Sequence, residues 1–187
     1  STGCVKIAAC LNSTPAIDII LIILNLFKEN LARMRNPNAL QILKAGLLAG
    51  LLDILAAFAN FYIKTGKNPV VILKFIASGV FGDSAFSGGT GMTILGLLIH
   101  FIIALLFATF FFTAVARILP VNSSKLLTGI LYGLFIWLVM NLIIVPLSSA
   151  PKLPFNITDA ALNAAILIVC VGLPISYSYY SSVKPSK

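Results

Sequence analysis

Asp53 lies almost at the midpoint of AGLLAGLLDILAAFANFYI (residues 45–63), and His100, the one histidine of the chain, lies within the apolar stretch LGLLIHF. A carboxylate and an imidazole can form an acid–base pair. At bilayer depth, moreover, an ionisable group costs free energy unless it faces the protein interior or water. Asn60, Asn141 and Asn163 add amides in the same kind of surroundings. This cluster is the candidate site. No motif supplies an activated nucleophile, a second catalytic carboxylate or metal-ligand spacing, and a lone His without a second axial ligand is a poor haem signal. Neither enzymatic activity nor a metal or cofactor is therefore expected. Cys4, Cys10 and Cys170 form neither a metal spacing nor an even disulfide set, and Cys170, inside an apolar run, reads as a small packed hydrophobe.

The elements that must position these residues are membrane spans. Of the 187 residues, 59% are hydrophobic and only 10% charged, and the mean hydropathy is +1.05. Soluble domains carry about 25% charged residues. About 20 apolar residues cross roughly 30 Å of hydrocarbon, and four runs qualify, at about 43–63, 93–116, 126–147 and 159–179. The reading is an all-α integral membrane protein with one transmembrane domain, residues 40–187. Lys44 and Lys64 bracket the first span, Arg117 closes the second, the third runs from Lys125 to Pro146, and Thr158 and Asp159 are the expected caps of the fourth. Pro174 is expected to kink that last span.

Residues 1–39 read as a separate cytoplasmic or interfacial segment. AIDIILIILNLF (16–27) is too short to span and is interrupted by Asp18. Ile7 to Cys10 faintly resemble a lipoprotein cleavage site, but the few residues before them cannot hold a signal-peptide apolar region. The sequence does not begin with Met, and Met34 begins a segment leading smoothly into the first span, which leaves the start of the chain open. The loop from Thr65 to Gly91 is long for a helix connection. Asn68-Pro69 followed by VVILKFIASGVF predicts a helix over 69–80, too short to cross and too apolar for water, hence an outer interfacial or re-entrant helix. GDSAFSGGTG (82–91) lacks the Lys-Ser/Thr ending of a phosphate loop and reads as a flexible turn.

Small residues recur at helical spacing: Gly46, Gly50 and Asp53 on the first span, Gly96 and His100 on the second, Gly129, Gly133, Trp137 and Asn141 on the third. Such stripes let helices approach closely. A polar group on each stripe predicts that Asp53, His100 and Asn141 point into the bundle. At about 1.5 Å per residue, Asp53 lies roughly 16 Å below Lys64 and His100 roughly 12 Å below the start of its span, so their heights overlap. With Asn60, Asn141 and Asn163 in the outer half, this predicts a polar vestibule opening outward. An even span count puts both termini on one side. That side collects Lys28, Arg33, Arg35, Lys44, Arg117, Lys125, Lys184 and Lys187, against Lys64, Lys67, Lys74 and Lys152 on the other, so both termini are expected in the cytoplasm. The net charge of +8 is explained by this retention, since no aromatic-basic patch marks a nucleic-acid partner.

AGLLAGLLD, NPVVILKFIASGVFGDSAFSGG, LGLLIHF and GILYGLFIWLVMNLIIVPLS together resemble the YagU-like family of uncharacterised bacterial inner-membrane proteins, over about residues 42–178. The resemblance implies a four-span protein of the bacterial inner membrane and, for some relatives, a loose association with acid tolerance. It carries over no site residues. The expected function is a non-enzymatic, stress- or acid-related accessory membrane component. The alternatives are a small transporter or proton-linked permeation protein using Asp53 and His100, and an integral subunit of a larger membrane complex. Membrane lipids are the expected partners, with a homo-oligomer or a larger complex as further assemblies.

Overall fold

The computed structural model describes residues 38–115, 124–152 and 156–183. The expectations for residues 1–37, including the 16–27 helix, Cys4 and Cys10, and for Arg117, Lys184 and Lys187, lie outside the described residues. The described chain is all-helical, with no strand, and four of its helices are long and apolar enough to cross a membrane. These are α1 (Asn38–Thr65), α3 (Thr90–Val115), α4 (Lys125–Leu147) and α5 (Ile157–Ser182). Between the first two lies the shorter α2 (Val70–Phe81), followed by a single turn, Ser84–Ser87, where a flexible turn was expected.

Local chemistry sets these boundaries. The Thr65 hydroxyl donates to the Phe61 carbonyl, and Gly66, at φ 65°, reverses the chain after α1 while its N–H donates to the Tyr62 carbonyl. Only glycine takes that left-handed conformation without a steric cost. α2 starts where Asn68 Oδ1 accepts from the Val70 N–H. Ser124 caps α4, its side chain accepting from Leu127 N–H. The cap of α5 is Asn156, which accepts from Thr158 N–H at 2.9 Å, and not Thr158 or Asp159 as expected. Asparagine and threonine are both good cap residues, so the amide two positions upstream took the role.

α1, α3 and α5 each pack against more than one other helix. α1 and α3 cross at Gly46 and Gly50, and α4 and α5 at Gly129, Gly133 and Gly172. α1 also packs along α5, and Lys64 at the end of α1 pairs with Asp159 at the start of α5. All three crossings are antiparallel. Thr65, Thr90, Leu147 and Ile157 therefore lie at one end of the bundle, the α2 end, with the core end opposite. The core cluster draws Ile42 and Ala49 from α1, Ala108 and Phe111 from α3, Tyr132 and Ile136 from α4, and Val171 and Ile175 from α5.

Two of the spans widen into π-helical turns, Met140–Ile144 in α4 and Ile168–Gly172 in α5, each ending two residues before a proline, Pro146 and Pro174. A proline ring crowds the carbonyl four residues earlier and gives it no N–H. A wider turn before the ring relieves the crowding while the backbone stays hydrogen-bonded. The disturbance expected from Pro174 thus takes the form of a π turn. A third π turn, Phe111–Val115, ends α3.

Candidate functional site

The site begins with two glycines. A Cβ on Gly46 would meet Leu105 at 2.7 Å, and one on Gly50 would meet Ala104 and Phe101 at 3.0 Å, so α1 and α3 touch nearly backbone to backbone. That approach brings His100 Nε2 to 2.8 Å from the Gly50 carbonyl oxygen. A carbonyl can only accept, so Nε2 carries the proton and donates it. His100 also meets the Phe101 ring edge-on at 5.6 Å.

Asp53 lies one turn beyond Gly50 on α1, half-buried. Cys170 lies in the π turn of α5. Cys170 packs against the core cluster while half-buried. Among the described residues no group of three or more His, Cys, Asp or Glu side chains converges as a metal site.

The asparagines fall differently. Asn60 is half-buried on α1, two turns from Asp53. Asn163 is exposed on α5. Asn141, expected to point into the bundle, is exposed, and its amide donates to the Trp137 carbonyl of its own helix at 2.9 Å. The physical reason is the π turn, which begins at Met140 and rotates Asn141 and its successors out of the Gly129–Gly133 stripe. Gly96 also serves another purpose than span packing: a Cβ there would sit 1.9 Å from the Leu73 carbonyl oxygen, so it admits the backbone of α2. Gly129 and Gly133 seat α5, through Leu173, Gly172 and Ile168.

Several contributors were not singled out from the sequence. Gly172 is the tightest point of the α4–α5 crossing, with a Cβ there 2.2 Å from the Gly129 carbonyl oxygen. Its signal was present as Gly-x-Pro. Tyr132 is buried and donates its hydroxyl to the Phe107 carbonyl, joining α4 to α3. Near it, Phe110, Val115, Thr128, Leu131, Tyr132 and Phe135 line an open apolar groove of about 300 Å³. The hydroxyls in its wall are occupied, Thr128 by Tyr180 and Tyr132 by the Phe107 carbonyl, so it offers no polar chemistry.

No family model, curated protein or solved structure matches the chain. The functional reading rests on the Asp53–His100 geometry.

Proposed function

We propose that this is a non-enzymatic membrane protein in which the Asp53–His100 pair takes up and releases protons inside the bundle, serving proton-linked permeation. The observation that carries this reading is the α1–α3 crossing, where the Gly50 carbonyl holds His100 Nε2 one turn from Asp53 on α1. A carboxylate at that depth is costly as mere glue. The Gly50 carbonyl already fixes His100 Nε2, leaving Nδ1 and the half-buried carboxylate to exchange protons. Purified protein in liposomes loaded with a pH-sensitive dye is expected to pass protons down an imposed gradient. Asp53→Asn keeps the shape and removes the charge, so its flux is expected to fall at least tenfold while the fold is kept. Wild-type flux in that variant, or no flux above empty liposomes in the wild type, sinks the proposal.

The same reading places the chain in a bacterial inner membrane, with the α2 end outside and α2 lying in or dipping into the outer interface. Support comes from the Lys/Arg asymmetry, the resemblance to the YagU-like family, and the apolar exposed residues of α2, Val70, Val71 and Phe81. Cysteines at Thr65 and Lys152 are expected to react with an impermeant reagent from outside, and one at Ser182 to be protected. The opposite pattern inverts the orientation.

A further inference from the structure

We infer that the open apolar groove between α3 and α4 at the core end seats one acyl chain of an anionic phospholipid, with the lipid's headgroup against Lys125. This stands apart from the proton-linked reading and needs only that the four spans lie in a bilayer.

Two helices shape the groove. On α4 its wall is Thr128, Leu131, Tyr132 and Phe135, the i, i+3, i+4, i+7 spacing of one helix face. On α3 it is Phe110 and Val115, the residue before the π turn Phe111–Val115 and the last residue in it. Regular α-helix would set those two about 140° apart. A turn closed from residue i to i+5 brings them nearer to one face. The proline rule that accounts for the π turns of α4 and α5 leaves this one aside, since four residues before Pro120 is position 116, past its end. Its visible effect is the α3 wall of the groove.

The lining selects hydrocarbon. Phe135 stacks on Phe110 at 5.8 Å and on Tyr132 at 5.9 Å, so flat aromatic rings close the deep end. The two hydroxyls of the lining are already paired, Tyr132 with the Phe107 carbonyl and Thr128 with Tyr180. An extended peptide laid there would leave N–H and C=O groups without partners. A helix 10–12 Å across would fill about 300 Å³ with roughly two of its residues, so a packed helix of a second copy does not fit. A single alkyl chain does.

Lys125 supplies the charge. It stands seven residues before Tyr132, on the same face of α4 and about 10 Å nearer the core end. Its Nζ lies 5.7 Å from the centre of the exposed Tyr177 ring of α5, a Lys–Tyr pairing suited to headgroup level. From just inside that level, Thr128 to Phe135 run about 10 Å inward, the direction of a lipid tail. Among the described residues the carboxylates are Asp53 in mid-span and Asp83 and Asp159 at the α2 end, so none of them neutralises Lys125. The phosphate of an acidic lipid complements it.

Lipid retention by the full chain tests the seat. Protein in mild detergent is given dioleoylphosphatidylglycerol or dioleoylphosphatidylcholine and exchanged into lipid-free micelles, and bound lipid is counted by native mass spectrometry. The wild type is expected to keep one phosphatidylglycerol per chain and about fivefold less phosphatidylcholine. Leu131→Trp pushes a bulky ring into the groove from an exposed position, and Ile130→Trp sets the same ring at the same depth on another exposed side of α4. The first is expected to lose the bound lipid and the second to keep it. Lys125→Gln retains the backbone carbonyl that accepts from Ser176 and is expected to abolish the preference for phosphatidylglycerol. Equal retention by Leu131→Trp, Ile130→Trp and the wild type overturns the inference, as does equal retention of the two lipids by the wild type. A preference untouched by Lys125→Gln overturns the headgroup contact. A lipid-free dimer that Leu131→Trp dissociates would give the groove to a second copy and overturn the inference as well.

Discussion

The two ends of the bundle are built by opposite rules. At the core end, Phe111 packs edge-on against Tyr132 at 4.7 Å and against Tyr179 at 5.7 Å, while Phe110 and Phe135 stack at 5.8 Å. Ser176 donates across the α4–α5 crossing to the Lys125 carbonyl, and Tyr132 does so from α4 to α3. At the α2 end, neither Met140–Leu147 nor Ile157–Leu167 buries a residue. Closure there falls to α2, to a backbone hydrogen bond from Ser149 N–H to the Gly79 carbonyl, and to one partly exposed ion pair. One end is fixed by interlocked aromatic rings, and the other by α2 seated on α3, where Gly96 meets the Leu73 carbonyl and Leu73, Ala77 and Ser78 are buried. Asp53 and His100 sit where the two regimes meet. A group that exchanges protons needs both a rigid geometry beneath it and water above it.

The strongest way to break this comparison is to add one methyl group at each end. In Gly172→Ala the new Cβ would lie 2.2 Å from the Gly129 carbonyl oxygen and 2.7 Å from Gly133 N, both backbone atoms inside the rigid crossing. Overpacking of this sort costs about 3 kcal/mol at the upper end of its usual range. The variant is expected to lose most of its folded, monodisperse protein on mild heating in detergent. Gly96→Ala clashes at least as badly, 1.9 Å from the Leu73 carbonyl oxygen, but α2 is short and can shift away. That variant is expected to keep the thermal stability of the spans while α2 becomes open to protease. Equal loss of stability in the two variants would erase the distinction between the ends.

Much of this was legible from the residues, and the misses share a cause. The span expected at about 126–147 is α4 (Lys125–Leu147), and the helix expected over 69–80 is α2 (Val70–Phe81), because length, apolarity and Asn-Pro signals act locally. The close approach of α1 and α3 was legible too, since Gly46 and Gly50 recur on one stripe and the His100 ring meets the Gly50 carbonyl there. Asn141 escaped because the stripe logic assumes an unbroken helical period, and the π turn at Met140–Ile144 shifts the phase. The role of Gly96 escaped because periodicity says that a backbone comes close, and not which one. The Lys64–Asp159 ion pair depends on the α1–α5 register, which is set by contacts far apart in sequence.

A smaller effect sharpens the account of the core end. Tyr132→Phe removes only the hydroxyl that donates to the Phe107 carbonyl, leaving the ring against Phe111. Hydrogen bonds between membrane helices contribute about 0.6 kcal/mol on average and up to about 1.7 kcal/mol. Because this hydroxyl is buried and its acceptor adjoins the π turn that ends α3, a loss toward the upper part of that range is expected in denaturant titration in micelles. Tyr132→Ala also deletes a buried ring and is expected to cost several times more, in line with the roughly 3–5 kcal/mol seen for large aromatic truncations. If the two variants proved equally stable, the aromatic cluster would not hold the core end.

The smallest effect is expected at Asn141. Its side chain is exposed, and its amide N–H bonds back to the Trp137 carbonyl one turn earlier on α4, so it ties no second helix to the bundle. A back-bond to the same helix adds little, because the carbonyl it reaches is already served by the backbone. Asn141→Leu therefore removes an exposed amide from apolar surroundings at no loss of interhelical contact. Its stability in the same titration is expected to stay within about 0.5 kcal/mol of the wild type, as for substitutions remote from packing and polar networks. Proton flux is expected to be unchanged, since the residue lies outside the Asp53–His100 crossing. Loss of flux with stability preserved would place Asn141 on the proton route. A large loss of stability would instead show that Asn141 holds a second chain, and the α2 end would then be an assembly surface.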